Sequence, residues 1–168
     1  VVVYGIKKFI NKIKSVGIAG LIIVDNNLNS PEEKLLLKGL AKKGIGYTKI
    51  ISPTNSEKFI QQSIRNTKNS FIYITTYAGL TGSKNVNLKN VKKLISKVKK
   101  YSKEVPTGVG FGVKTTKHVK QVSKYADAVI CGSSIVNKIK EGHEKKFSAK
   151  KLAKFIGKYV KNLSAGAR

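Results

Sequence analysis

The feature that most constrains this chain is a regular alternation: short, continuous apolar runs separated by segments of helical periodicity, with no hairpin signal between any two runs. Ile6, Phe9, Ile10, Ile13 and Val16 recur at helical spacing and stop at Gly17 and Gly20. Residues 21–24, Leu-Ile-Ile-Val, then form the uninterrupted apolar stretch of a strand covered on both faces. Ser30-Pro31-Glu32-Glu33 has the order of a capping box, with serine at the cap, proline at the first helical position and glutamate at the third. That helix runs through Leu35 and Leu40 and ends at Gly44.

The unit repeats. Strands are expected at residues 47–51, 71–75, near Gly108-Val109, and at 128–131. Helices are expected after a cap at Asn55 or Ser56, over the segment holding Leu88, Val91, Leu94, Ile95 and Val98, and over about 115–125. A short helix starts at Ser133, and a terminal helix occupies the last segment, 148–168. Such alternation implies parallel strands joined by helical crossovers in an α/β fold. An open doubly wound sheet and part of an eight-stranded barrel both fit; a whole barrel needs about 200 residues or more, and the chain has 168.

Composition narrows the class. An apolar share of 40% excludes a wholly disordered chain. The single Cys131 excludes a disulfide framework, and no run of about 18 apolar residues offers a membrane span. The opening VVVYGIKKF lacks the shape of a signal peptide and an initiator Met, so a cytoplasmic location and a cropped N-terminus are expected. The net charge of +26 comes almost entirely from lysine, since only Arg65 and Arg168 are arginine among 34 basic residues. These lysines fall between apolar positions, as on solvated helix faces, whereas readers of nucleic acid rely on arginine for bidentate contacts.

In both candidate architectures ligands gather at the C-terminal ends of the strands. Gly108-Val109-Gly110-Phe111-Gly112 follows the fourth strand, and Gly132-Ser133-Ser134 follows the fifth. Glycine lets backbone N–H groups approach an oxyanion, and a helix N-terminus adds partial positive charge, so the pair suggests a phosphate site; tight turns alone would use the same glycines. The loop at 76–87 is long enough to serve as a lid or to be a plain connection. Acid–base candidates are few. Asp25 ends a strand, Asp127 begins one at the opposite face, His118 and His143 lie in Lys-rich helices, and Cys131 reads as a core thiol. No metal-ligand spacing is present.

Three segments together, Tyr73…Gly79-Leu80-Thr81-Gly82, Gly110-Phe111-Gly112-Val113 and Gly132-Ser133-Ser134-Ile135-Val136, resemble the motifs after strands six, seven and eight of the tryptophan synthase alpha chain family. Residues 17–25 resemble that family's fourth strand, and Ser52-Pro53-Thr54 the end of its fifth. The resemblance implies a (β/α)8 barrel lyase that splits indole-3-glycerol phosphate into indole and glyceraldehyde 3-phosphate in tryptophan biosynthesis. It implies that Gly82, Gly112, Gly132 and Ser133 hold the phosphate and that Tyr73 and Phe111 line the indole pocket. It also implies that Thr81 reaches toward a catalytic Asp. The implied partner is a beta chain that carries pyridoxal phosphate and receives indole, with no cofactor in this chain.

Departures shape the remaining expectations. The family's catalytic Glu and Asp belong to the second strand and the loop after it, and this chain resembles only strands four to eight. A single partial barrel over 1–168 is therefore expected, with the first three strands and both acids missing and no activity alone. Tyr77 stands where the family has Arg, Asn26-Asn27 where it has an apolar residue and Pro, and Ser134 where Ala is common. Unpaired first and last strands would expose backbone groups and interior apolar side chains. The alternatives are a basic nucleic-acid-associated protein and another phosphate-binding barrel fragment.

Overall fold

A computed structural model describes residues 1–24, 30–75, 88–110 and 112–167. The elements are α1 (Ile6–Ser15), β1 (Gly20–Ile22), α2 (Pro31–Lys42), β2 (Gly46–Ile51), α3 (Glu57–Asn66), β3 (Ile72–Thr75), α4 (Leu88–Tyr101), β4 (Thr107–Gly110), α5 (Thr116–Val122), β5 (Ala128–Val129), α6 (Ser133–Glu144) and α7 (Ala149–Ser164), closed by a 3-10 turn at Ala165–Ala167. All five strands are parallel and lie side by side in chain order. Five parallel strands alternating with helices make an α/β sheet, and their order without reversal is that of part of a (β/α)8 barrel rather than of a doubly wound sheet. Among the described residues no helix is long and apolar enough to cross a membrane.

The ends of the helices follow local chemistry. Ser30 Oγ accepts the Glu33 N–H at 3.1 Å, Ser56 Oγ the Phe59 N–H at 3.2 Å, and Thr115 Oγ1 the His118 N–H at 3.1 Å. Asn55, the other candidate cap, instead accepts the Ser52 N–H at 2.6 Å and shapes the turn after β2. Gly44, at φ 66°, closes α2: its N–H reaches Ala41 O, and Ile45 N–H reaches back to Leu40 O. This pair of bonds satisfies the last carbonyls and needs the left-handed conformation that glycine adopts without steric cost.

Two apolar clusters lie between sheet and helices. The larger joins β2–β5 to α3, α4, α5 and α7 through Ile51, Ile60, Ile72, Ile74, Val98, Val109 and Val122, each under 1% exposed. The smaller joins α1 and α2 to the start of β2 through Ile10, Ile13, Leu36, Leu40, Ile45 and Tyr47. Leu21 and Ile23 pack against that second cluster, so Ile22 and Val24 face the other side, where they are 47% and 79% exposed. The face that becomes a barrel interior is thus open at β1.

β4 holds a correction to the sequence reading. Gly110, like Gly108, belongs to the strand rather than to the glycine loop after it. A Cβ on Gly108 would lie 2.8 Å from Phe71 and 3.0 Å from Ile130, and a Cβ on Gly110 would collide with the Tyr73 hydroxyl. The two glycines make room on the inner face for Phe71, just before β3, and Tyr73 within it, whose rings sit 6.4 Å apart.

A glycine-lined rim as candidate functional site

The strands all point the same way, so their C-terminal ends form one rim. Gly108 pairs with Ala128 and Val109 with Val129, and the Ile130 N–H donates to Val109 O at 2.7 Å. Counting on from that register, Gly112 and Gly132 each stand three residues beyond the Val109–Val129 pair. The two turns therefore follow neighbouring strands at the same end of the sheet. Gly112 has φ 82°, which turns the chain away from β4 toward α5.

Gly132 is the N-cap of α6, a 12-residue helix whose first turn contains no acidic residue. A Cβ on Gly132 would meet no atom of the described residues within 4 Å. Ser133 is the first helical residue there. The exposed N–H groups of a helix N-terminus, backed by its dipole, form a ready site for an oxyanion. The following Ser134 Oγ is buried and has no hydrogen-bond partner among the described residues.

The turn after β4 is held from outside the rim. Val113 is buried in the larger core cluster, and the Tyr159 hydroxyl on α7 donates to Lys114 O at 2.8 Å. Thr116 Oγ1 donates to Asn162 O at 2.9 Å. The terminal helix therefore clamps the segment that carries Gly112. Sequence reading did not anticipate this support, because nothing local links 114 to 159.

Tyr73 is half-buried on β3 beneath that rim. Burial, and secondarily the neighbouring Cys131, push its hydroxyl above the usual phenol range, so it remains a neutral hydrogen-bonding group at physiological pH. Burial likewise raises the Cys131 thiol, which packs beside the larger cluster as an unreactive side chain.

Two of the described acids, Glu33 and Asp127, are engaged elsewhere. Glu33 is fully buried and pairs with Lys49, which is 4% exposed. Glu33 also accepts from Tyr47 at 3.5 Å and Asn66 at 3.3 Å. Asp127 stands at the other end of the sheet and accepts from Lys99 at 2.9 Å and from the Thr107 N–H and hydroxyl at 2.7 and 2.8 Å. Burial alone would raise its pKa, but these bonds outweigh that effect and hold it below the usual carboxylate range. Among the described residues no group of three His, Cys, Asp or Glu could hold a metal.

Of the residues singled out in the sequence, Tyr73, Gly112, Gly132 and Ser133 come to the same rim. Thr81, Gly82, Phe111 and Asp25 lie outside the described residues.

Comparison with known proteins identifies the surroundings of this rim. The family model for the tryptophan synthase alpha chain matches residues 1–165. The tryptophan synthase alpha chain of Thermoanaerobacter sp. (strain X514) is 31% identical over 153 residues, an alignment spanning 91% of this chain and 56% of that relative. A structure of tryptophan synthase from Mycobacterium tuberculosis in space group F222 superposes with a TM-score of 0.80 at 26% identity, over 99% of this chain and 58% of that one. The tryptophan synthase alpha subunit of Campylobacter jejuni gives 0.74 at 28% identity, over 96% and 60%. The chain thus spans a little over half the length of these relatives. With five strands in barrel order, glycine turns side by side on one rim and a family match over nearly every residue, the chain belongs to the tryptophan synthase alpha chain family.

Proposed function

We propose that this chain supplies the phosphate-holding and indole-contacting part of a lyase that cleaves indole-3-glycerol phosphate to indole and glyceraldehyde 3-phosphate in the cytoplasm. The observation that carries the reading is the pair of glycine turns at Gly112 and Gly132, leaving adjacent strands at the same end of the sheet, one of them opening a long helix. In this reading the N–H groups of Gly112, Gly132 and Ser133 converge on the substrate phosphate, and the Ser133 hydroxyl donates a further bond. Gly82 joins them from the long loop. The dipole of α6 favours the doubly charged anion without bringing a mobile cation into the site.

Tyr73 and Phe111 line the indole pocket. A neutral Tyr73 presents an apolar ring face with a polar tip, suited to an amphipathic heterocycle. Thr81 positions a catalytic acid. Cleavage needs a proton donor and acceptor at the reacting carbons, and the reading assigns neither role to a residue of these 168. The chain alone therefore binds substrate without turning it over. The partner is a beta chain that accepts indole and carries the pyridoxal phosphate, this chain having no cofactor of its own.

Calorimetric titration with a non-cleavable indole-alkyl phosphate tests the reading. Saturable binding is expected, weakened at least about tenfold when the phosphate is replaced by a hydroxyl, a change of about 1.4 kcal/mol. Gly132→Val places a branched side chain at the start of the helix and should abolish binding with the circular dichroism unchanged. Undiminished affinity in that variant would contradict the phosphate assignment. Indole release that disappears on Asp25→Asn would instead make Asp25 catalytic.

A further inference from the structure

We infer that the groove between α1 and α2 is a docking surface for an acidic amphipathic helix of a partner protein. The groove encloses about 480 Å³; Ile6, Ile10 and Leu35 form its floor, and Lys7, Lys38 and Lys42 stand on its rim. Leu35 is 58% exposed, whereas its neighbour Leu36 is 3% exposed in the cluster beneath. α2 therefore turns an apolar side chain outward beside the one it buries. Gly39 lets the helices approach closely, since a Cβ there would collide with Ile10. The channel that remains runs along two helices of 10 and 12 residues, about 15 and 18 Å long. That length accommodates roughly three turns of a third helix, with anchors at i, i+3, i+4 and i+7.

Charge selects the occupant. Lys7, Lys38 and Lys42 form no ion pair among the described residues. The acids of α2, Glu32 and Glu33, stand in its first turn, and Glu33 is buried against Lys49. A second copy would bring another +26 charges to a rim already positive. A nucleic acid would match the lysines but leave Leu35 and Ile6 without a partner. The lysine face of α4, with Lys89, Lys93 and Lys97, offers the same charge with no apolar floor. An apolar stripe flanked by carboxylates satisfies both halves of the α1–α2 groove. The groove lies in the outer helical layer behind β1 and β2, away from the glycine rim, so it is independent of the phosphate reading.

Fluorescence anisotropy tests the inference. The probe is a labelled peptide of about four turns, with leucines at i, i+3, i+4 and i+7 and glutamates on both flanks. A scrambled peptide of identical composition is the control. The amphipathic peptide should bind at least about tenfold tighter than the scrambled one, and Leu35→Gln should remove that advantage. Replacing Lys38 and Lys42 together with Gln should weaken binding about tenfold, against less than about twofold for Lys150 and Lys154 of α7, which change the net charge equally. Because the lysine pair is exposed, its result stands even if Leu35→Gln lowers stability. Equal binding of the two peptides would overturn the inference. So would equal losses from the two lysine pairs, or tighter binding of a single-stranded oligonucleotide that ignores Leu35→Gln.

Discussion

The two halves of the sheet solve the burial problem differently. Around β3, β4 and β5, with Ile51 of β2, one cluster holds 14 buried aliphatic residues, and the inner layer fits aromatics over glycines. Around β1 and β2 the cluster holds six, and a charged pair, Glu33–Lys49, is buried beside it with Tyr47 and Asn66. The half with the larger aliphatic cluster carries the glycine rim; the half with the buried charge pair carries the exposed Ile22 and Val24. Buried ion pairs fix one arrangement rather than add net stability, because desolvation of both charges offsets their attraction. The contrast teaches that the rim is held by shape, and the opposite half by a specific polar match.

The largest effect should come from breaking that match. Lys49→Met leaves Glu33 buried without its cation and should cost about 3–5 kcal/mol in urea unfolding, whereas Glu33→Leu with Lys49→Met should return near or above the parent stability. If the single variant loses no more than a surface substitution, the pair is not the lock described. In the other half, Gly110→Ala drives a methyl group into Tyr73 and should cost about 1–3 kcal/mol, with part of the loss recovered when Tyr73→Ala is added. Additive losses would place the two side chains out of contact.

Smaller effects test the edges. Thr115→Ala removes the cap of α5 and should cost about 1 kcal/mol, similar to Ser30→Ala on α2, since both caps bind a single N–H. A much larger loss at Thr115 would show that the clamp from α7 depends on it. The smallest effect is acid sensitivity. Asp127 has a folded pKa below its unfolded value, and Glu141 is held at about 2 by hydrogen bonds from Lys138 and then Lys145. Both groups therefore favour the folded state at pH values above the ordinary carboxylate range, and that contribution is lost as pH falls through it. Asp127→Asn should flatten the decline in melting temperature as pH falls below the ordinary carboxylate range; an unchanged slope would show that Asp127 makes no such contribution.

Much of this was legible in the residues. Ser30, Thr115 and Ser148 announce helix starts because a cap acts over three residues, within reach of a local pattern. The apolar runs announced five parallel strands, although β1 and β5 are shorter than their runs, ending at Ile22 and Val129. The helix at Ser133 was read as short and spans 12 residues. What stayed hidden was long-range. Glu33 read as half of a capping box, yet its carboxylate meets Lys49 across 16 residues. Gly110 reads as loop because its role depends on Tyr73 in the neighbouring strand. The clamp from Tyr159 to Lys114 has the same character. Periodicity reports which face a residue takes, not which side chain it meets there.

If the turns at Gly112 and Gly132 act on one anion, their amides must respond to it together. Titrating glycerol phosphate into nitrogen-15-labelled protein and following backbone amides tests it directly. The account predicts that the Gly112, Gly132 and Ser133 amides shift together along one saturation curve, and that Gly132→Val silences all three. Shifts that saturate at different concentrations, or appear only at surface lysines, would contradict it.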